Sequence, residues 1–331
     1  MRIGVVGAGA LGGALAVLLD AAGHEVAVTA RGPHLDAIRE RGLRLEGAYG
    51  DRTARLDAAE ALAAPPELAI LAVKAQDAPA AAAANAAVLT GVPVVVVQNG
   101  VTGPQALRAV LPDSPLVGAL SMIASSHLEP GLVTVTARGT TVLAADRASP
   151  AVLAGAARVL GSAVEVTVAE DLAGAQWSKL VVNQLNAAPA MTGLSLQEAM
   201  TEPALAAAVA AAMRETVLVA RASGVRLTGL PSLPPSLVRL LRLAPARIVG
   251  GVLRRRVVAR MGAVPNPGST LQSIRRGRPT EIEHLSGAVV ETGASTGVPT
   301  PVNARIVEAV HRVEATGRFL PPREAARHLL P

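Results

Sequence analysis

The sequence predicts an α/β protein in which an N-terminal parallel-sheet domain precedes an all-helical C-terminal domain. Short apolar strands alternate with alanine-rich helices through the first half of the 331 residues, the pattern of a parallel sheet with crossover helices. Long helical patterns then replace the strands. The length also fits two domains better than one. We therefore predict a sheet domain over residues 1–168 and a helical domain over residues 169–331.

In the sheet domain, apolar runs bounded by turn residues indicate the strands. The predicted strands are Ile3–Val6, Val26–Thr29, Leu68–Val73, Val94–Gln98 and Leu116–Ser121. The predicted helices among them are Ala10–Ala22, Pro33–Arg41 and Gly103–Leu111. Leu132–Thr136 and Thr141–Ala144 resemble a hairpin, and we expect this pair to extend the edge of the sheet.

The helical domain follows one more strand, Val164–Val168. Its predicted helices are Asp171–Ala188, Glu202–Ser223, Glu281–Thr296 and Val302–Ala315. Between them, Thr228–Pro267 is rich in proline and arginine and is interpreted as an insertion with an amphipathic piece at Ser236–Leu243. The run Arg254–Arg256 fits a solvated helix end, and a dimer contact or a substrate lid stays open as an alternative.

Composition narrows the class of protein. The absence of cysteine excludes disulfides, thiol catalysis and cysteine metal sites, and we expect no metal. The net charge is +6, but the basic residues are scattered without aromatic interleaving, so nucleic-acid binding is weakly supported. The uncharged stretch Ala78–Gln98 is broken by Thr90–Pro93, which favours a helix and a buried strand over a membrane span. With no signal peptide before the first strand, we expect a cytoplasmic protein that does not bind membranes.

Lysine is scarce in this chain. Of its 31 basic residues, only Lys74 and Lys179 are lysines. An ammonium can release its proton when burial lowers its pKa, whereas a guanidinium stays charged. Lys179 is therefore the first candidate for a catalytic acid, and the alternative is codon bias that leaves two lysines behind.

A glycine motif follows the first strand and opens the first helix. Its residues are Gly7-Ala8-Gly9-Ala10-Leu11-Gly12. In this strand-to-helix setting the motif matches the dinucleotide-binding fingerprint of a Rossmann-type domain, with a glycine-rich turn in an unrelated α/β protein as the alternative. Gly7 permits the tight turn, Gly9 lets the backbone approach a pyrophosphate, and Gly12 lets the helix pack on the sheet. The N–H groups at the helix start are then available to phosphate oxygens.

The end of the second strand indicates which dinucleotide binds. NAD enzymes usually place a carboxylate there for the ribose 2′-hydroxyl, but this strand ends at Arg31 and Glu25 lies at its other end. Arg31 is placed to meet a 2′-phosphate, so the sequence favours NADP(H), with an ordinary surface arginine as the alternative.

Two further strand ends point to the same crevice. Lys74 follows the third strand, and Asn99 follows the fourth, in Gln98-Asn99-Gly100. Because ligands bind beyond the carboxyl ends of parallel strands, we expect Lys74 and Asn99 to line the cofactor cleft. Asn99 before a glycine also fits a plain turn.

The helical domain contributes two polar groups of residues. Lys179, Asn183 and Asn186 are spaced i, i+4 and i+7, which puts them on one stripe of a largely buried helix. Such polar groups are costly to bury unless a substrate or an interdomain network satisfies them. Farther along, Thr280 reads as a helix N-cap whose capping-box partner is Glu283, which leaves Glu281 in the first turn, available to a site.

Together these motifs resemble the ketopantoate reductase (2-dehydropantoate 2-reductase) family over nearly the whole length. The resemblance rests on the glycine motif, Arg31, Lys74, Gln98-Asn99-Gly100, Trp177-x-Lys179-x-x-x-Asn183, and Ser269 with Thr280-Glu281-Ile282-Glu283. It implies that NADPH reduces a 2-oxo acid such as ketopantoate to a D-2-hydroxy acid.

The resemblance also implies residue roles. Lys179 protonates the developing alkoxide, and Glu281 accepts a hydrogen bond from the substrate hydroxyl and helps to keep Lys179 charged. Asn183 and Ser269 position the substrate, and we group Asn186 with them. Asn99 contacts cofactor or substrate.

Several positions depart from the family pattern and leave the exact substrate open. Many members carry a second Asn four residues after the first, whereas this chain has Ala187 there and Asn186 one residue earlier. Ser273 and Ser286 stand where Asp and Asn are common. The alternatives are a reductase of another bulky 2-oxo acid and a non-catalytic NADPH-binding regulator, which would not need Lys179 or Glu281. The sequence leaves a homodimer open.

Overall fold

The computed structural model describes residues 1–230, 232–260 and 265–330. The chain divides into two compact units, Met1–Leu172 and the described residues from Ala173 onward. The first unit is a Rossmann-type sheet domain and the second is helical, so the predicted fold class is confirmed.

The first unit contains two sheets. Its strands are β1 (Arg2–Val6), β2 (Glu25–Thr29), β3 (Leu43–Gly47), β4 (Arg52–Ala54), β5 (Asp57–Ala59), β6 (Leu68–Leu71), β7 (Val94–Val97), β8 (Leu116–Ser121), β9 (Ala124–Glu129), β10 (Leu132–Ala137), β11 (Thr141–Ala145) and β12 (Val166–Val168). Its helices are α1 (Ala10–Ala21), α2 (Gly32–Arg41), α3 (Ala78–Ala84), α4 (Ala86–Leu89), α5 (Gly103–Leu107) and α6 (Pro150–Gly161).

The large sheet has the order β12-β11-β8-β7-β6-β1-β2-β5. Its strands are parallel from β5 to β8, and β11 then pairs antiparallel with β8. The chain leaves β1 toward β2 on one side and returns to β6 on the other side of β1. This reversal of strand order creates a crevice beyond the carboxyl ends of β1 and β6, where α/β sheets bind ligands.

A second sheet, with the order β4-β3-β10-β9, covers α1. At Gly13 in α1 an added Cβ would lie 2.9 Å from Val133 Cγ2 of β10, so helix and sheet pack closely. The hairpin predicted for β10 and β11 is wrong, because the two strands belong to different sheets. β10 pairs instead with β9, whose polar sequence does not read as a strand, through a turn at Gly131 with φ of +77°.

The second unit is built around α10 (Pro203–Ala222). The other helices are α7 (Leu172–Asn183), α8 (Ala187–Thr192), α9 (Leu196–Ala199), α11 (Pro235–Leu243), α12 (Ala246–Arg260), α13 (Gly268–Arg275), α14 (Ser286–Thr296), α15 (Pro301–Thr316) and α16 (Pro322–Leu329). α10 is long and apolar enough to cross a membrane by length and composition, but 67% of its most apolar 18-residue stretch is buried within the protein, as in the core helix of a globular domain.

The segment interpreted as an insertion is an integral part of this unit. At Gly250 in α12 an added Cβ would lie 2.6 Å from the Ala207 nitrogen of α10, so the two helix backbones are in close contact. The run Arg254–Arg256 lies inside α12 rather than at a helix end. Part of the segment, residues 231 and 261–264, lies outside the described residues.

Candidate active site

The glycine motif forms the predicted turn between β1 and α1. Gly7 has φ of +99°, and a Cβ there would lie 2.5 Å from Val73 Cγ1. A Cβ on Gly12 would overlap the Gly7 carbonyl oxygen and lie 2.9 Å from Ala72 Cβ. A Cβ on Gly9, by contrast, would meet nothing within 4 Å. The packing of the fold thus requires glycine at Gly7 and Gly12, whereas Gly9 faces open space that could hold a pyrophosphate.

The start of α1 offers hydrogen-bond donors toward that space. Its first intrahelical bond runs from the Gly13 nitrogen to the Gly9 oxygen at 2.8 Å. The N–H groups of Ala10, Leu11 and Gly12 precede this bond, so the helix does not use them internally. Together with the positive end of the helix dipole, they form an anion site that fits a dinucleotide pyrophosphate.

Two residues that sequence reasoning missed hold the loop in place. Thr29, at the end of β2, accepts a hydrogen bond from the Gly7 nitrogen with its hydroxyl (2.9 Å) and one from the Ala8 nitrogen with its carbonyl (2.8 Å). His34 Nε2 donates to the Ala8 oxygen at 2.7 Å, because its Nδ1 accepts from the Gly131 nitrogen at 2.9 Å. Burial lowers the pKa of His34, which favours this neutral tautomer. The contacts span long sequence separations, so no local pattern signals them.

Alanine substitutions at two of the glycines should separate fold from binding. We expect Gly12→Ala to lower the stability by about 1–3 kcal/mol through overpacking. Gly9→Ala should keep the wild-type melting temperature but weaken the dinucleotide, because its methyl group enters the open space. Thermal unfolding and cofactor titration of both variants test this. A Gly9→Ala protein that binds the cofactor normally would contradict the assignment.

Arg31, just beyond the end of β2, is the residue expected to distinguish NADP(H) from NAD(H). Arg31 is the second residue after this strand, is exposed, and occupies the N-cap position of α2. Glu25 lies at the opposite end of β2. A 2′-phosphate placed here would meet a guanidinium and a helix N-terminus, both of which favour a negative charge.

Lys74 and Asn99 follow neighbouring parallel strands, as expected. β6 and β7 pair directly, and the Gln98 side chain ties their ends together by donating from Nε2 to the Val73 oxygen at 3.0 Å. Lys74 and Asn99 are both partly buried at this carboxyl edge. The structure thus places an ammonium and an amide at the edge of the sheet where α/β proteins bind their ligands.

In the second unit, Lys179 lies in α7 among buried neighbours. Leu180 and Val181 are fully buried, and Asn183, one turn later, is 6% exposed. Desolvation lowers the pKa of Lys179 from 10.5 to about 8. An ammonium with this pKa is mostly protonated at neutral pH and yet releases its proton far more readily than an ordinary lysine, so it suits a general acid.

The helix predicted as continuous from Asp171 to Ala188 is interrupted. A 3-10 turn at Gln184–Asn186 separates α7 from α8, so the regular stripe runs from Lys179 to Asn183 and Asn186 lies in the turn. The turn brings Asn186 to Ser269, whose hydroxyl lies 3.5 Å from Asn186 Nδ2. The close approach requires Gly268, where a Cβ would lie 2.6 Å from Asn186 Oδ1. Two of the predicted substrate residues are therefore neighbours.

The capping box predicted at Thr280 is wrong. The Thr280 nitrogen donates to Glu314 Oε1 at 2.7 Å, and the Glu283 carboxylate contacts His311 Nε2 at 2.6 Å. The segment forms a 3-10 turn at Ile282–His284, and α14 begins at Ser286 rather than at Glu281. Glu281 lies at the N-cap of this turn and is partly buried.

Comparison with known protein families agrees with this architecture. Residues 3–147 match the model of the family described as "Ketopantoate reductase PanE/ApbA", and residues 171–314 match the model of its C-terminal domain. The 2-dehydropantoate 2-reductase of Halobacterium salinarum is 31% identical over 96% of this chain and 100% of its own length.

Solved structures share the fold. A PanE/ApbA family ketopantoate reductase from Ralstonia eutropha superposes with a TM-score of 0.80 at 30% identity, over 95% of this chain and 99% of that chain. A D-mandelate dehydrogenase in complex with NADH and anilino(oxo)acetate has the same TM-score of 0.80, over 96% and 99% of the two chains. Its identity is 20%, so this second likeness shows the fold alone.

Proposed function

This chain belongs to the ketopantoate reductase family, and we propose that it reduces 2-dehydropantoate to D-pantoate with NADPH. The observation that carries the proposal is Lys179, a lysine whose pKa is lowered to about 8 by desolvation in α7. A family member that only sensed the cofactor would have no use for a partly buried lysine with a lowered pKa.

The first unit supplies the cofactor-binding groups. In this proposal the glycine loop and the first turn of α1 hold the pyrophosphate, and Arg31 holds the 2′-phosphate. Lys74 and Asn99 contact the cofactor beyond the ends of β6 and β7. Bound NADPH supplies the hydride that converts the keto carbon of the substrate into a secondary alcohol.

The second unit supplies the proton and the substrate contacts. Lys179 polarises the keto group and donates its ammonium proton to the carbonyl oxygen as negative charge develops there. Glu281 accepts a hydrogen bond from the substrate hydroxyl. Asn183 binds the substrate from α7, while Asn186 and Ser269, which lie side by side, orient its carboxylate end.

The pKa of Lys179 sets the pH dependence of the reaction. Reduction needs the ammonium form, whose fraction falls as the pH rises through about 8. We therefore expect kcat/KM for 2-oxo acid reduction to be level near neutral pH and to fall tenfold per pH unit well above that value. A profile that stays flat toward the ordinary lysine pKa of 10.5 would exclude Lys179 as the acid.

Another bulky 2-oxo acid is the second candidate substrate. The observation in its favour is Ala187, a buried methyl group (4% exposed) where many family members carry an amide. Loss of one hydrogen-bonding group in a substrate pocket alters selectivity more than it alters the reaction.

A steady-state assay with several substrates tests the proposed function. NADPH oxidation is followed with ketopantoate and with 2-oxo acids that differ in the bulk and polarity of the group on C3. We expect ketopantoate to give the highest kcat/KM. A higher value for an acid without the substrate hydroxyl would favour the second candidate, and no NADPH oxidation with any of them would refute both.

Compartment and assembly are separate parts of the proposal. We place the reaction in the cytoplasm, where the sequence predicts the protein to reside. A homodimer would use the exposed apolar side chains near the α11–α12 junction, Leu243 and Ile248, which are 68% and 53% exposed. Light scattering of the wild-type protein and of a Leu243→Ser variant tests this, since a monomeric wild type would contradict it.

A further inference from the structure

The backbone that carries Glu281 has little regular secondary structure of its own. Glu281 has φ of −97° and ψ of 22°, the 3-10 turn after it covers only Ile282–His284, and Leu285 has φ of −107° and ψ of −97°. The α-helix starts only at Ser286. A 3-10 turn has poorer hydrogen-bond geometry than an α-helix and fixes a side chain less firmly. Contacts from outside the segment therefore help to fix the direction of Glu281.

One such contact comes from Glu314, near the end of α15. Its Oε1 accepts a hydrogen bond of 2.7 Å from the nitrogen of Thr280, the residue just before Glu281. Thr280 is 8% exposed and the Glu314 side chain 22%, so this charge-assisted bond is largely shielded from water. Within the segment, the Thr280 hydroxyl accepts from the Ile282 nitrogen at 3.2 Å.

His311 connects Glu314 to the far side of the same segment. His311 Nδ1 lies 3.0 Å from Glu314 Oε2, and Nε2 lies 2.6 Å from Glu283 Oε1. Both nitrogens face carboxylate oxygens, so both can donate only in the imidazolium form. The hydrogen bond to Glu283 is the largest effect and raises the pKa of His311; burial lowers this pKa by less, and the hydrogen bond to Glu314 adds a smaller increase, so the pKa is raised. We call Glu283, His311 and Glu314 the clamp.

The helix that bears two members of the clamp is itself anchored. At the start of α15, the nitrogens of Val302 and Asn303 donate to the Glu215 carboxylate of α10, each at 2.9 Å. Asn303 Nδ2 adds a bond of 2.7 Å to Glu215 Oε2. Because α10 is the core helix of the unit, α15 is held in place, and the clamp therefore ties the Glu281 segment to a fixed part of the fold.

We propose that Glu314 is a positioning residue, which through the Thr280 main chain and the His311 bridge holds Glu281 in the direction that substrate binding requires. This inference rests on the proposed function, in which Glu281 accepts a hydrogen bond from the substrate. Glu314 itself has no part in proton or hydride transfer, and the clamp acts only through the geometry of the segment that it holds.

The test compares Glu314→Ala with Glu308→Ala. Glu308 lies on the same helix and pairs with Arg312 at 2.7 Å, a contact within α15 that does not involve the Glu281 segment. We expect Glu314→Ala to raise KM for the 2-oxo acid and to lower kcat/KM about 10- to 100-fold, because small misplacements of a binding group cost this much. The Kd for NADPH should change less than about twofold, since the cofactor groups lie in the first unit. Glu308→Ala should match the wild type.

The Glu314→Gln variant tests whether the hydrogen bond to Thr280 is what matters, because it keeps an acceptor at this position. Its amide oxygen can still accept from the Thr280 nitrogen, so we expect it to recover most of the kcat/KM lost in Glu314→Ala. If Glu314→Gln is as impaired as Glu314→Ala, the bond to Thr280 is not the working contact and the proposal is overturned.

Amide hydrogen exchange of the ligand-free protein tests whether Glu314 holds the Glu281 segment, without relying on catalysis. In Glu314→Ala, the amides of residues 280–285 should exchange about tenfold faster than in the wild type or in Glu308→Ala. Unchanged exchange would overturn the proposal whether or not the enzyme reduces ketopantoate. Faster exchange together with a wild-type kcat/KM would show that the clamp holds the segment but not the substrate contact, which also overturns it. A wild type inactive on every 2-oxo acid would instead count against the proposed function.

Discussion

Replacing Lys179 by alanine should reduce turnover by about 100- to 10,000-fold, the usual contribution of a general acid. The variant loses both the proton and the positive charge that polarises the carbonyl. Binding of NADPH should persist, since the glycine loop and Arg31 lie in the other unit. Stopped-flow or steady-state NADPH oxidation and a fluorescence titration of NADPH measure the two effects separately.

Arginine substitutions at the two lysines provide the control. Lys179→Arg keeps a positive charge but cannot give up a proton at working pH, so we expect it to be nearly as impaired as the alanine variant. Lys74→Arg should lose much less, because we assign to Lys74 a contact with the cofactor and no proton transfer, and arginine keeps the positive charge. Near-normal turnover in Lys179→Ala, or equal losses in the two arginine variants, would refute the assignment of Lys179.

Replacing Arg31 by alanine should weaken the binding of NADPH and leave the binding of NADH nearly unchanged. Hydrogen bonds to charged groups are worth about 1.5–3 kcal/mol, which corresponds to roughly 10- to 150-fold in Kd. NADH has no 2′-phosphate, so its Kd should change by less than about twofold. Titration of the variant with both cofactors measures the ratio directly.

Arg41→Ala serves as the matched control for this prediction. Arg41 lies in the last turn of α2, the helix that begins after Arg31, is exposed, and lies 4.0 Å from Glu40. Its loss should leave both cofactors unaffected. If Arg31→Ala weakens the binding of NADPH and NADH equally, Arg31 does not bind the 2′-phosphate.

The sequence predicts well those parts of the site that depend on a local motif or on the order of the strands. The turn at Gly7 needs positive φ, and the strand ends of β6 and β7 place Lys74 and Asn99 by topology alone. Lys179 stood out because a chain rich in arginine retains lysine at few positions. Its lowered pKa is what a proton donor requires, and its catalytic role stays a proposal.

The parts that depend on distant partners were not predictable. The spacing of Thr280 and Glu283 favours a capping box, but Glu314, 34 residues along the chain, accepts the Thr280 N–H instead. β9 is too polar to stand out as a strand, so the sequence predicts β10 at the edge of the large sheet instead of beside β9 in the second sheet. His34 and Gly131 are 97 residues apart, and only the fold brings this histidine to the glycine loop.

Product analysis tests the central claim most directly. The protein is incubated with ketopantoate and NADPH, and the pantoate formed is quantified by chiral chromatography against the NADPH consumed. The account predicts one D-pantoate for each NADPH oxidised. Consumption of NADPH without pantoate, formation of the L-enantiomer, or no consumption of NADPH at all would contradict it.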